Sequence, residues 1–137
     1  MTDIAEERIL PVRTDEDVVR LRQVVREQMV AAGFSLIDQT KMVTASSELA
    51  RNTLRYGGGG EARLVRLTNG LRHGLGLEFS DQGPGIPDIT LALKDGYTTG
   101  GGMGLGLAGA KRLTDEFEIE SAPGAGTTVR IRKWKPY

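Results

Sequence analysis

The hydrophobic repeat of this chain changes period across four consecutive glycines, Gly57 to Gly60, and that change restricts the folds open to it. Before the break the spacing is helical. Val18, Leu21, Val25 and Met29 recur at helical intervals behind Thr14-Asp-Glu-Asp17, a capping-box pattern with Asp where Glu or Gln is usual, and Gly33 supplies a stop. Ser35-Leu-Ile-Asp38 then caps a second helix, in which Ile37, Val43, Ala45, Leu49 and Tyr56 are apolar and which the glycines end. After the break the period is two. Leu64 and Arg66 alternate with Arg63, Val65 and Leu67, and Leu75, Leu77 and Phe79 repeat the pattern. Asn69-Gly70 between these runs signals a type I′ hairpin.

The flanking segments complete the order. Glu7 to Val12 reads as a short strand, and Asp81 to Pro87 as a glycine- and proline-rich loop. A short helix is expected from Ile89 to about Asp95, a flexible connection over Gly96 to Gly102, and a helix over Gly104 to Leu113. Glu116 to Ser121 and Thr127 to Trp134 read as strands around the turn Ala122-Pro-Gly-Ala. The order β-α-α-β-β-α-α-β-β predicts an α+β fold: a two-layer α/β sandwich with a mixed, mainly antiparallel sheet and helices on one face. Its 137 residues fit one domain, 1–137, able to bury about 68% of its unfolded surface.

Composition removes several function classes. Lys and Arg number 18 against 18 Asp and Glu, so no overall basic field points to nucleic acid or a membrane surface. Cysteine is absent, which excludes disulfides, thiolate metal sites and cysteine nucleophiles. His73 is the sole histidine and reads as a solvated strand residue, with no flanking helix pair of the kind a dimerising phosphoacceptor needs. Met1 to Val12 carries Asp3, Glu6, Glu7 and Arg8 and lacks an apolar core, so it is neither signal peptide nor membrane span. The expectation is a soluble, cytoplasmic, self-standing domain. Glycine is in excess, 19 residues where ordinary usage near 7% gives about ten, and it concentrates between Gly57 and Gly126. Arg130, Arg132, Lys133 and Lys135 form a basic stretch, expected to protect a sheet edge. Met29, Met42 and Met103 read as packing residues, Met103 alone lying where it could also touch a ligand.

Three clusters carry chemistry. Glu48 and Asn52 stand four residues apart on a helix and project from one face, which Ala45 and Tyr56 extend. A carboxylate and a carboxamide facing a core need partners. Mg²⁺ would accept the Asn52 oxygen and bridge phosphates, leaving Glu48 to take a proton from an attacking hydroxyl. The same spacing also fits an ordinary ion pair of Glu48 with Arg51 or Arg55. Asp81 follows a strand and precedes Gly83-Pro-Gly85. An ionised carboxylate only accepts hydrogen bonds, which suits an exocyclic amine, while the glycines let a flat base approach the backbone; a plain turn uses the same residues. Gly104-Leu-Gly106-Leu-Ala-Gly109 matches the dinucleotide fingerprint, but a glycine-rich loop rather than a strand precedes it. No H-R-D, D-F-G or G-x-x-x-x-G-K-[ST] element is present. What remains is a helix start able to attract phosphate, under a lid from Gly96-Tyr-Thr-Thr-Gly.

Taken in order, Glu48-x-x-x-Asn52, Asp81-x-Gly83-x-Gly85, Gly102-x-Gly104-x-Gly106 and Gly126-Thr127 resemble the N, G1, G2 and Gly-Thr elements of the GHKL ATPases, and the resemblance covers nearly the whole chain. Ser47 to Asn52 (SELARN), Asp81 to Ile89 (DQGPGIPDI), Gly101 to Leu113 (GGMGLGLAGAKRL) and Asp115 to Ser121 (DEFEIES) are similar to the RsbT-type serine/threonine kinases of partner-switching modules, relatives of the anti-sigma kinases. The resemblance implies a Bergerat ATP-binding fold, with ATP and Mg²⁺ as cofactors and ADP as product. It implies Glu48 as general base, Asn52 as Mg²⁺ ligand and Asp81 as partner of the adenine amine. Gly83 and Gly85 would shape the pocket, Gly100, Gly102, Gly104, Leu105 and Gly106 would line the phosphates, and Thr127 would reach the adenine side. Arg51 and Arg55 are placed for phosphate or partner contact. The implied substrate is a serine or threonine of a STAS-domain protein in stress signalling. A PP2C-type phosphatase and a homodimer are further associations compatible with it, and nucleic acid and membrane are not expected. The alternative is a nucleotide-responsive module that sequesters or activates a phosphatase or sigma factor with little kinase output.

Overall fold

The structure, a computed structural model, describes residues 2–94 and 106–135. Within them lie strand β1 (Asp3–Val12), helices α1 (Asp15–Ala31) and α2 (Leu36–Arg55), strands β2 (Gly60–Asn69) and β3 (Arg72–Asp81), helices α3 (Ile89–Ala92) and α4 (Gly106–Leu113), and strands β4 (Glu116–Ser121) and β5 (Thr127–Trp134). The strands form one sheet in the order β1-β2-β3-β5-β4. Every pairing is antiparallel, where the sequence reading had a mixed sheet.

Local chemistry starts both long helices as expected. Thr14 accepts from the Asp17 N–H at 3.1 Å while the Asp17 carboxylate accepts from the Thr14 N–H at 3.2 Å, so aspartate completes the box. Ser35 caps α2 by accepting from the Asp38 N–H at 3.2 Å. Val18, Leu21, Val25 and Met29 of α1 and Met42, Ala45 and Leu49 of α2 are buried. They close over Leu10, Val12, Ala62, Leu64, Leu75, Leu77, Phe79, Val129 and Ile131 of the sheet in one core, which makes two layers.

The opposite sheet face carries its own small cluster, Val65, Leu67 and Trp134. Trp134 lies against Gly74, where an added Cβ would sit 2.7 Å from the indole, and the Arg72 guanidinium is 5.0 Å from the ring centroid. The rest of that face alternates in charge from strand to strand. Arg63 pairs with Glu7 at 2.6 Å, and Arg130 with Glu78 at 2.6 Å and Glu120 at 3.2 Å. The Arg63 hydrogen bond holds the Glu7 carboxyl below its ordinary value, and Glu78 and Glu120 raise Arg130 further.

Several expectations need correction. β1 starts at Asp3 rather than Glu7, because its hydrogen-bonding partner is the equally long β2 and its polar residues face solvent. The hairpin loop is Gly70-Leu71, with Asn69 and Arg72 already paired. Gly70 has φ +64° and no described non-glycine residue has positive φ, which is the sign pattern of a type II′ turn and excludes I′. α3 stops at Ala92. The basic strand β5 is an interior strand, between β3 and β4, so its charges pair with the acidic strands beside it instead of guarding an edge. Lys133 points to the helix side, where it is buried between Asp38 at 3.7 Å and Asp115 at 3.6 Å. Ile37 is 69% exposed, because the buried side of α2 begins only at Met42. Tyr56 is also exposed. Asp95, the Gly96–Gly102 connection, Met103, Gly104 and Leu105 lie outside the described residues.

Candidate functional site

The C-terminal half of α2 carries Glu48 and Asn52 along one face, and beside it β3 ends at Asp81. Between these elements is a cavity of about 680 Å³, within the size range of small-molecule sites. Glu48, Arg51, Asn52, Arg55, Asp81, Gly85, Gly106 and Thr127 all line it. Its apolar walls come from Phe79 and Val129 of the sheet, Ile86 of the following loop and Leu107 of α4. The expected site residues within the described chain are therefore brought to one place, except that Gly83 does not line the cavity and packs against Gly57, which does. Gly100, Gly102, Gly104 and Leu105 lie outside the described residues.

Glu48 is 9% exposed and both carboxylate oxygens are engaged. Oε1 accepts from Arg51 at 3.3 Å, and Oε2 accepts from the backbone N–H of Gly106 at 3.3 Å. The expected ion pair of Glu48 with Arg51 is thus present, and both residues line the cavity. Gly106 opens α4, where free amides and the helix dipole favour negative charge. Asn52 is half-buried, and its carboxamide has no hydrogen-bond partner among the described residues, while its backbone carbonyl accepts from Tyr56 and Gly57.

Asp81 Oδ1 accepts from the Gly83 N–H at 2.9 Å, an Asx turn that fixes the carboxylate. Gly57 packs directly against that carboxylate: a Cβ there would lie 2.4 Å from Oδ2. Gly83 is equally confined, since its Cβ would lie 2.7 Å from the Gly57 Cα. Gly85 needs glycine twice over, at φ +79° and with the Ala122 carbonyl 2.0 Å from a would-be Cβ. The loop after Asp81 is stitched to the β4–β5 turn by Gly124 N–H to Pro84 O at 2.7 Å and Gly126 N–H to Gly83 O at 3.1 Å. Ser121 adds a third tie, accepting from the Ile86 N–H at 2.8 Å.

Sequence reasoning missed Gly57 and Ser121. Gly57 looked only like a helix stop, and nothing distinguishes it from the three glycines after it. Ser121 ends a strand with no local motif, and its contacts with Ile86 and Gly126 arise from the fold. Tyr56 extended the right helical face and does line the cavity.

Comparison with known proteins agrees with this geometry. Residues 37–136 match the family described as histidine kinase-, DNA gyrase B-, and HSP90-like ATPase. The chain is 43% identical over 123 residues to the serine/threonine-protein kinase RsbT of Bacillus subtilis (strain 168), covering 90% of this chain and 92% of the other. It is 30% identical over 115 residues to an anti-sigma F factor of Thermoanaerobacter sp. (strain X514), covering 77% and 80% respectively. A crystal structure of the RsbU and RsbW domains of Rv1364c from Mycobacterium tuberculosis superposes with a TM-score of 0.66 at 20% identity, over 96% of this chain and 34% of that one. The chain thus spans about a third of that longer protein, and at such identity the likeness shows the fold alone.

Proposed function

The chain belongs to the histidine kinase-, DNA gyrase B- and HSP90-like ATPase family and, within it, to the RsbT-type serine/threonine protein kinases, and from that premise we propose that it phosphorylates a STAS-domain antagonist in a stress-signalling partner-switching module. The observation that carries the reading is the convergence of Glu48, Asn52, Asp81 and Thr127 on one cavity that α4 opens toward. ATP is the nucleotide, and its base fits the end formed by Asp81 and Thr127, with the phosphates toward Gly106.

Mg²⁺ fits the residues present. No cluster of three His, Cys, Asp or Glu side chains able to hold a metal exists among the described residues, and Mg²⁺ does not need one. It takes one or two protein oxygens and completes its shell with water and phosphate, which suits the Asn52 carboxamide, without a hydrogen-bond partner among the described residues. When bound, the ion would neutralise phosphate charge. In the transfer step the substrate hydroxyl oxygen bonds to the γ-phosphorus as the bond to the ADP oxygen breaks, and Glu48 takes the hydroxyl proton. Arg51, beside Glu48, adds positive charge near the transferring group.

We assign the 137 residues to one domain acting in the cytoplasm; among the described residues no helix is long and apolar enough to cross a membrane. Similarity to anti-sigma F factors favours a second output, in which the nucleotide-bound chain also sequesters or activates a partner such as a PP2C-type phosphatase. Incubation with γ-labelled ATP and purified STAS-domain proteins tests the reading. Label on a serine or threonine supports it. Tight partner binding without label leaves only the binding output, and the absence of both label and binding refutes both readings.

A further inference from the structure

Ser121, at the end of β4 and opposite Thr127 in the β4–β5 pairing, is the hub of a small network whose donor directions are forced. The Gly126 carbonyl, 2.9 Å from Ser121 Oγ, can only accept, so the single hydroxyl hydrogen of Ser121 goes there. The Ile86 N–H, at 2.8 Å, can only donate, and it takes one lone pair of Ser121 Oγ. Thr127 Oγ1, at 2.8 Å, must then donate to the lone pair that is left. Ser121 is thereby saturated, and the only hydroxyl hydrogen of Thr127 is committed away from the cavity that Thr127 lines.

We propose that Ser121 is a positioning residue that makes Thr127 an acceptor only, and so sets the preference of the site for a 6-amino over a 6-oxo purine. This rests on the reading of the Asp81–Thr127 end as the base pocket. The Asp81 carboxylate offers only lone pairs, and with Thr127 fixed the second polar group at that end does the same. The exocyclic amine of adenine carries two hydrogens for two acceptors. A 6-oxo purine in the same pose puts oxygen against oxygen, which leaves buried acceptors unpaired. Without Ser121 the Thr127 hydroxyl is free to turn and donate to a 6-oxo group.

The test is titration calorimetry with ADP and with inosine diphosphate, which replaces the 6-amino group by oxygen, in the presence of Mg²⁺. Wild type is expected to prefer ADP, and in Ser121→Ala the ratio of affinities should fall about tenfold, the scale of one hydrogen bond. Ser121→Thr, which keeps the hydroxyl, should retain the wild-type ratio. If Ser121→Ala does not fold, Ser121→Cys, with a weak S–H donor in place of O–H, should lower the ratio in the same direction. Weakening of both nucleotides by the same factor would mean that Ser121 only braces the loop, and would overturn the proposal. A wild-type chain that binds neither nucleotide, or both alike, would instead overturn the base-pocket reading on which it stands.

Discussion

Gly106 donates its backbone N–H to the Glu48 carboxylate at 3.3 Å, joining two residues 58 positions apart in the chain. The contact puts a carboxylate at the start of α4, where the helix dipole favours an anion. On the proposed placement of the phosphates toward Gly106, nucleotide and Glu48 compete for the same amide. Glu48→Gln keeps an acceptor oxygen there and removes the charge. ADP affinity is expected to hold or rise a few-fold, while phosphotransfer falls about a hundredfold or more for want of a base. Labelled-ATP assays beside calorimetry check both halves, and undiminished transfer would remove Glu48 from the role of base.

Asn52 lines the same cavity, and its carboxamide has no hydrogen-bond partner among the described residues. Its replacement by alanine should leave Mg²⁺-free ADP binding within about threefold and reduce the gain in affinity on adding Mg²⁺ by about tenfold or more. Titrations with Mg²⁺ and with chelator measure that gain directly. An equal gain in wild type and Asn52→Ala would refute the ligand assignment.

Gly57 touches the Asp81 carboxylate so closely that a methyl group would sit 2.3 Å from Cγ. Gly57→Ala must displace Asp81 or the turn that leaves α2. The expected cost is about 1–3 kcal/mol of stability, with a loss of ADP affinity larger than that of Gly58→Ala, a control that has open space around it and is strained only by its φ of +76°. Thermal melts and ADP titrations on the pair are the check. Equal ADP affinity in the two variants would show that the Gly57 contact does not shape the base pocket.

The Glu7–Arg63 pair ties β1 to β2 on the open face of the sheet and gives a pH signature. The folded Glu7 carboxyl is depressed, so its contribution is present above the unfolded value, near 4.3, and is lost as pH falls from about 5 through the folded value. Both side chains are solvent-exposed, so the effect is small and screened by salt. Melting temperatures of wild type and Glu7→Gln should differ at pH 6 in low salt and converge as the pH is lowered through the depressed folded value of Glu7. A gap independent of pH would contradict the linkage.

Those parts of the fold set by neighbouring residues were legible in the sequence. Glu116–Ser121 and Thr127–Trp134 have the strand limits expected from alternation and turn residues, and the Thr14–Asp17 box needed only four residues to declare itself. The pairing of Glu48 with Asn52 followed from helical spacing alone. What was hidden depends on distant partners. Whether Arg130 lies at an edge is decided by β5 entering between β3 and β4, which no local pattern encodes. Ile37 obeys the helical period yet points to solvent, because periodicity does not say where along α2 the sheet begins. Gly57 and Ser121 became site residues only when Asp81 and Thr127 arrived beside them.

The strand order β1-β2-β3-β5-β4 has a kinetic consequence. β1, β2 and β3 can pair while α1 and α2 cover them, through contacts in the first part of the chain. Among the described strands β4 pairs with β5 alone, so both join the sheet through the one step that pairs β5 with β3. That step also delivers Thr127, Val129 and the turn that braces the loop after Asp81. An intermediate with only the first three strands in place would carry Glu48 and Asn52 on a formed helix and have no base pocket. In refolding, recovery of nucleotide binding should therefore lag recovery of helical signal.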